Sequence, residues 1–375
     1  MPDAASTVKP KRRRGLLPRL ALLLGSVLIA LLCAEVGMRI LGLPRDELAF
    51  LPKDGSVDWD CYCTNPRGYF KPRPGPNGST IFCVDHDGAP PRLVDLKAAK
   101  AEGKRTILCI GDSFTWGLGV KIVDAYPYVL GELLAKASAK PVAVSNAGQV
   151  GRHVREIFEG QFLTALQNSL PDVVVYGWCM NDPVWDPARG VERSNPLAPV
   201  AKDAAMETGD IDDFINIRTA NLKQLRAESA GQSLRRVSRL AELACRQAEA
   251  ARIESRTLQF YRDLYDPVKN AGGLRLTWSS LAQMNEMQRS AGKRFVIAIF
   301  PLFVKLEGSY PLGELHESLN RKLTELKIDH LDLRPAFAGI KTEDLIVHPV
   351  DRHPNEVAHR LAAQAIADHL SRVRN

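Results

Sequence analysis

Five apolar runs are spread between Lys104 and Pro335. RTILCIGDS ends its apolar part at Gly111, PVAVSNAG ends at Gly148, and PDVVVYGW ends near Asn181. RFVIAIFPL covers Arg294 to Leu302, and IDHLDLRP covers Ile328 to Pro335. Short apolar runs bounded by turn residues predict buried strands. Between them the apolar positions change to helical spacing, as from Tyr128 to Ala135, and a closing helix is predicted from Asn355 onward. Parallel neighbours require crossover connections, so strands alternating with helices predict an α/β fold with a five-stranded parallel sheet sandwiched by helices.

Three stretches fall outside this alternation. Residues 186–292 are helical by pattern, with Leu234, Val237, Leu240, Leu243 and Cys245 at near-helical spacing, and read as an inserted helical lid with an Arg-rich solvated face. Residues 44–103 are rich in Pro, Gly and polar turns and read as an irregular lead-in with a short hairpin. From Leu16 to Leu43 the chain is apolar enough, and longer than the roughly 20 residues needed, to cross a bilayer core. Arg19 is placed to snorkel toward the basic end, and Glu35 and Arg39 are placed to pair one helical turn apart.

A cleaved signal peptide would end on a small-x-small pair, which the end of the apolar run lacks; Leu32 before Cys33 also disfavours a lipoprotein box. The cluster Lys11, Arg12, Arg13 and Arg14 precedes the run, so residues 1–15 are expected in the cytoplasm, with the rest facing the periplasm or cell exterior. Arg13-Arg14 as a twin-arginine export signal would change the route and not the destination. With Lys9 and Arg19 this cluster accounts for most of the formal charge of +7, and no nucleic-acid surface is inferred from it.

The remaining composition, 45% hydrophobic and 25% charged over 375 residues, is that of an ordinary globular protein and excludes intrinsic disorder. Of seven cysteines, Cys33 lies in the apolar segment, while Cys109 and Cys179 lie in predicted strands, where thiols pack as small hydrophobes. Cys61, Cys63 and Cys83 are bridge candidates; their spacing does not match a metal site, and no metal or cofactor is expected.

Ligands of open parallel sheets bind beyond the carboxyl ends of the strands, and the unusual polar residues fall there: Asp112-Ser113, Asn146 with Gly148, and Asn181-Asp182. Asp351-x-His353 near the C-terminus offers a base and a group to orient it. Singly, each has a structural reading, with Asp112 or Ser113 as a helix cap, Asn181-Asp182-Pro183 as a turn and His353-Pro354 as a helix start. His153, His348 and His359 are read as structural or surface histidines.

Taken together, the four blocks GDSFTWGLGV, SNAGQVG, GWCMND and DRHPN, in this order, resemble the SGNH (GDSL-like) hydrolase family. The resemblance covers about 104–190 and 292–375 of the 104–375 domain and implies a flavodoxin-like three-layer fold. It implies Ser113 as nucleophile, His353 as general base and Asp351 as its orienter, although the spacing is Asp-x-His where many members have Asp-x-x-His. The oxyanion donors it implies are the backbone N–H groups of Ser113 and Gly148 and the side-chain amide of Asn181. The activity implied is hydrolysis of an oxygen ester of an extracytoplasmic glycan or lipid through an acyl-Ser113 intermediate. Transfer of the same acyl group to a sugar hydroxyl, and a non-catalytic envelope protein, are the alternatives. A phosphate loop at Gly111 to Gly119 lacks both the Gly-Lys-Ser/Thr and the G-x-G-x-x-G spacing.

Overall fold

The apolar runs do form the sheet. In the computed structural model, which describes residues 16–44, 73–74, 80–81, 90–118, 120–138, 140–185, 232–348 and 351–372, five strands lie parallel. They are β1 (Arg105–Gly111), β2 (Val142–Asn146), β3 (Val173–Trp178), β4 (Arg294–Ile299) and β5 (Asp329–Asp332), in spatial order β2-β1-β3-β4-β5. Side chains of some described residues, Asp351 among them, lie outside the description, as do Cys61, Cys63 and Cys83.

Strand side chains alternate between two cores, as a period of two requires. Leu108, Ile110, Val174, Tyr176, Phe295 and Ile297 face one side. Ile107, Cys109, Val173, Val175, Val296 and Ala298 face the other. The helices α4 (Tyr126–Ala137) and α11 (Glu356–Arg372) cover the second face through Val129, Leu130, Leu134, Ala358, Ala362 and Ile366. The first face is covered by α2 (Leu96–Ala101), by a helical stretch after β2, by α9 (Ala271–Ser290) and by α10 (Gly313–Glu325), through Leu96, Ile157, Phe162, Leu281, Met284, Leu319 and Leu323. Helices on both faces of a parallel sheet make the three-layer α/β arrangement.

The stretch after β2 runs as α5 (Val154–Glu156), a π segment (Ile157–Phe162) and α6 (Leu163–Asn168). Within the span read as an insertion, α9 packs on β4 and its Leu281 and Met284 are fully buried, so this part is a crossover helix of the sheet and not an appendage. Residues 186–231 of that span lie outside the described residues. After β5, strands β6 (Ile346–His348) and β7 (Asp351–Pro354) pair antiparallel and lead into α11. In the lead-in, Arg73–Pro74 pairs antiparallel with Thr80–Ile81.

The described residues divide into two units. The sheet and its helices belong to one. The other contains α1 (Leu16–Ile40), α7 (Gln232–Val237) and the start of α8 (Arg239–Leu264) as far as Arg252. From Pro18 to Ile40 α1 is long and apolar enough to cross a membrane, and Leu22, Leu24, Leu28 and Ile29 are exposed along it. The expected turn pair is present, with Arg39 Nε 2.8 Å from Glu35 Oε1.

Candidate active site

Asp112 and Ser113 follow directly on β1. Gly111, the last strand residue, has φ +151°, and a Cβ there would stand 2.1 Å from Thr115 Oγ1 and 2.7 Å from the carbonyl oxygen of Gly177. Glycine is therefore required to turn the chain into the short helix α3 (Ser113–Trp116). Asp112 is its N-cap, its Oδ1 accepting the Phe114 N–H at 2.9 Å, so the capping reading holds for this residue. Ser113 occupies the first helical position, where a backbone N–H has no intrahelical acceptor.

The Ser113 hydroxyl has two polar neighbours. It lies 2.9 Å from His353 Nε2 and 3.5 Å from Asp112 Oδ2. Only the first is a hydrogen bond of ordinary length, so the imidazole is the partner of the serine. These residues are 240 positions apart and meet because β7 carries His353 to the carboxyl end of β1. The half-buried imidazole also rests against Phe114, with ring centroids 5.5 Å apart. The backbone of Asp351 pairs with His348 in the β6–β7 hairpin, while its side chain lies outside the description.

Asn181 and Gly148 come to the same edge. Asn181 Nδ2 donates to Asp112 Oδ2 at 3.3 Å, which leaves a second amide hydrogen on that nitrogen. The loop after β2 stays beside β1, with Ala147 N–H donating to the Cys109 carbonyl at 2.8 Å and Gln149 N–H to the Gly111 carbonyl at 3.0 Å. Gly148 N–H donates to Asn146 Oδ1 at 3.0 Å. A Cβ on Gly148 would lie 2.5 Å from Trp116 N and 2.8 Å from the carbonyl carbon of Thr115, so this glycine permits the loop to touch the α3 backbone.

Burial raises the Asp112 carboxyl above its usual range, partly countered by the Phe114 N–H, the nearby His353 and the Asn181 amide. Asp182 is fully buried and raised well above its usual range by burial and by Asp112. Its Oδ2 accepts the Cys179 N–H at 3.0 Å, turning the chain just past β3 and presenting Asn181.

Several supporting residues carry little advance signal in the sequence. Asn355, only 1% exposed, caps α11 by accepting from Val357 and Ala358 N–H, while its Nδ2 donates to the carbonyls of Asp344 and Ile346. It thereby ties the hairpin bearing His353 to the helix behind it. Arg92 lies over the Trp116 ring at 4.0 Å and donates to the Trp116 carbonyl, bracing the end of α3. Gln161, a lone buried polar residue in IFEGQF, reaches Gly111; such a residue on an otherwise apolar helical face is the one cue the sequence offers. A cleft of about 510 Å³ lined by Leu274, Trp278, Lys322 and Leu326 lies between α9 and α10, and neither Ser113 nor His353 lines it.

Among solved structures, the chain is similar to a lipolytic protein of the G-D-S-L family from Desulfitobacterium hafniense, at 13% identity and a TM-score of 0.36 over 71% of this chain and 99% of that one. It is similar to an acetylxylan esterase from Geobacillus stearothermophilus, at 13% identity and a TM-score of 0.38 over 72% and 97%. It is also similar to a psychrotrophic esterase from a Pseudoalteromonas species, at 13% identity and a TM-score of 0.38 over 72% and 98%. No protein-family model and no curated protein matches the chain. The strand order and the two-sided helix packing define the fold.

Proposed function

We propose that the chain is a membrane-anchored serine esterase of the SGNH type that cleaves an oxygen ester through an acyl-Ser113 intermediate. The observation that carries this reading is the 2.9 Å contact between Ser113 Oγ and His353 Nε2 at the carboxyl end of a parallel sheet. In the reaction, Ser113 Oγ attacks the ester carbonyl carbon while its proton passes to His353 Nε2. His353 then gives that proton to the departing alcohol oxygen as the carbon–oxygen bond breaks. Water, deprotonated by His353, attacks the acyl-serine, releasing the acid and returning the proton to Ser113. Asp351 orients the imidazole. The developing oxyanion is held by the N–H of Ser113, the second hydrogen of Asn181 Nδ2 and the N–H of Gly148, which Asn146 Oδ1 must share or release.

The natural substrate in this reading is an acylated glycan or a lipid outside the cytoplasm. Transfer to a sugar hydroxyl runs through the same acyl-enzyme, and is distinguished by an acylated sugar appearing in place of the free acid. Retention of α1 in the mature protein is supported by contacts within its own unit: Glu35 accepts from Ser238 Oγ and from the N–H groups of Arg239 and Leu240 at 2.9–3.0 Å. A cleaved leader would have no use for such a cap.

The test is p-nitrophenyl acetate hydrolysis by the full chain in detergent, followed on the millisecond to second scale beside Ser113→Ala. A burst of one equivalent of nitrophenol in the wild type, absent from Ser113→Ala, whose steady turnover is at least about 10³-fold slower, is the expected result. A folded wild-type protein with no burst and no labelling by a fluorophosphonate would instead make the site a binding site.

A further inference from the structure

We infer that Gln161 is a positioning residue for the nucleophile, clasping the backbone of Gly111 from the π segment; this rests on the esterase reading above. The ladder between β1 and β2 stops at Cys109 and Asn146, short of Gly111. Beyond that point the Gln161 amide supplies the acceptor that a continued β2 would have offered the Gly111 N–H. Its Oε1 accepts the Gly111 N–H at 3.0 Å, and its Nε2 donates to the Gly111 carbonyl at 3.0 Å. The same carbonyl also accepts from Gln149, so the clasp joins β1, the loop bearing Gly148 and the π segment at one residue.

The chemistry of the side chain is specific. A primary amide offers a donor and an acceptor side by side, a carboxylate offers acceptors only, and an aliphatic chain offers neither. Gln161 is 4% exposed, and the π turn directs it inward together with Ile157, Phe158 and Phe162. Such single π turns recur at functional sites. Gly111 is separated from Ser113 only by Asp112, so rotation of its peptide would carry the Ser113 N–H and Oγ away from His353. A displacement of about 1 Å in a reacting group costs on the order of 10²-fold in rate.

The experiment measures fluorophosphonate labelling of Ser113 and the acylation burst in the full chain in detergent, for wild type, Gln161→Leu and Gln161→Glu. Gln161→Leu is expected to acylate about 30- to 100-fold more slowly with KM within about twofold. In Gln161→Glu the deficit relative to wild type is large at alkaline pH and shrinks on acidification, because the protonated acid regains the donor. A Gln161→Leu rate within about twofold of wild type, or a Gln161→Glu ratio flat with pH, would overturn the proposal. If Gln161→Leu does not fold, the pH series of Gln161→Glu decides alone. If the wild type itself neither labels nor bursts, the esterase reading has failed, and Gly111 amide exchange becomes the readout. Exchange about tenfold faster in a folded Gln161→Leu or Gln161→Glu then supports the clasp, and unchanged exchange removes it.

Discussion

His359 shows what one buried side chain does to stability. It is fully buried beneath the site, accepts the Tyr126 N–H on Nδ1 at 3.2 Å and stacks on Tyr126 with centroids 6.2 Å apart. Burial, with smaller contributions from His353 and Arg92, lowers its pKa from 6.5 to about 3. The unfolded chain therefore binds this proton below about pH 6.5 and the folded chain does not, so the contribution is present above 6.5 and lost as pH falls toward 3. Over the full window it amounts to roughly 3–5 kcal/mol. Asp112 and Asp182 are shifted the other way, and the stability linked to them is present at acid pH and lost as pH rises. Comparison with His359→Gln, which keeps an acceptor for Tyr126 and cannot ionise, isolates the histidine. Urea midpoints of wild type are expected to fall relative to the variant from pH 6.5 to 4, and parallel profiles would remove His359 from the account.

At the level of elements, the start of α8 is built by a residue two hundred positions away. Glu35 and Ser238 together satisfy three N–H groups: Glu35 takes those of Arg239 and Leu240, and Ser238 Oγ takes that of Ala241 at 3.1 Å. Orphan N–H groups at a helix start favour such a carboxylate. Glu35→Leu is expected to speed amide exchange at Arg239 and Leu240 roughly fivefold, leaving the sheet amides unchanged; equal exchange in both proteins would show that the cap contributes nothing. The same helix marks the limit of what the sequence discloses. The i,i+4 pair of Glu35 and Arg39 is legible from spacing, but the long-range cap is not, and neither is the break it makes between α7 and α8. β1, β3 and β4 are legible because both faces are buried, while the ends of β3 and β5 are set by individual carboxylates. Asp182 ends the apolar run after Trp178, and Asp332 ends β5 by accepting from Arg334 N–H and Nε at 2.9 and 2.8 Å. The meeting of Ser113 and His353 was legible from four ordered blocks. No spacing rule places a π turn, so the sequence does not disclose the role of Gln161, and an uninterrupted helical pattern does not say which helix of 186–292 crosses the sheet.

For the whole molecule, the distribution of charge and apolar length argues for one topology. Lys9, Lys11, Arg12, Arg13 and Arg14 precede α1, and the segment Pro18–Ile40 is the one candidate span among the described residues. In the proposed topology residues 1–15 stay in the cytoplasm, because moving the basic cluster across a bilayer is disfavoured, and the part after α1 lies on the far side. An esterase so placed meets envelope glycans and lipids rather than cytoplasmic metabolites, which ties the orientation to the substrate class proposed above. Two measurements check it in a cell expressing the full chain. After a carbonate wash the protein is expected to stay with the membranes, since a helix of this length is not released by breaking electrostatic contacts. A protease added to intact spheroplasts is expected to degrade the part carrying Ser113 while sparing a tag placed before residue 1. Replacing Lys9, Lys11, Arg12, Arg13 and Arg14 by Ser, Gln or Asn should weaken that bias and yield a mixed population. A Ser113 part protected in spheroplasts with the basic cluster intact would reverse the orientation and move the substrate to the cytoplasm.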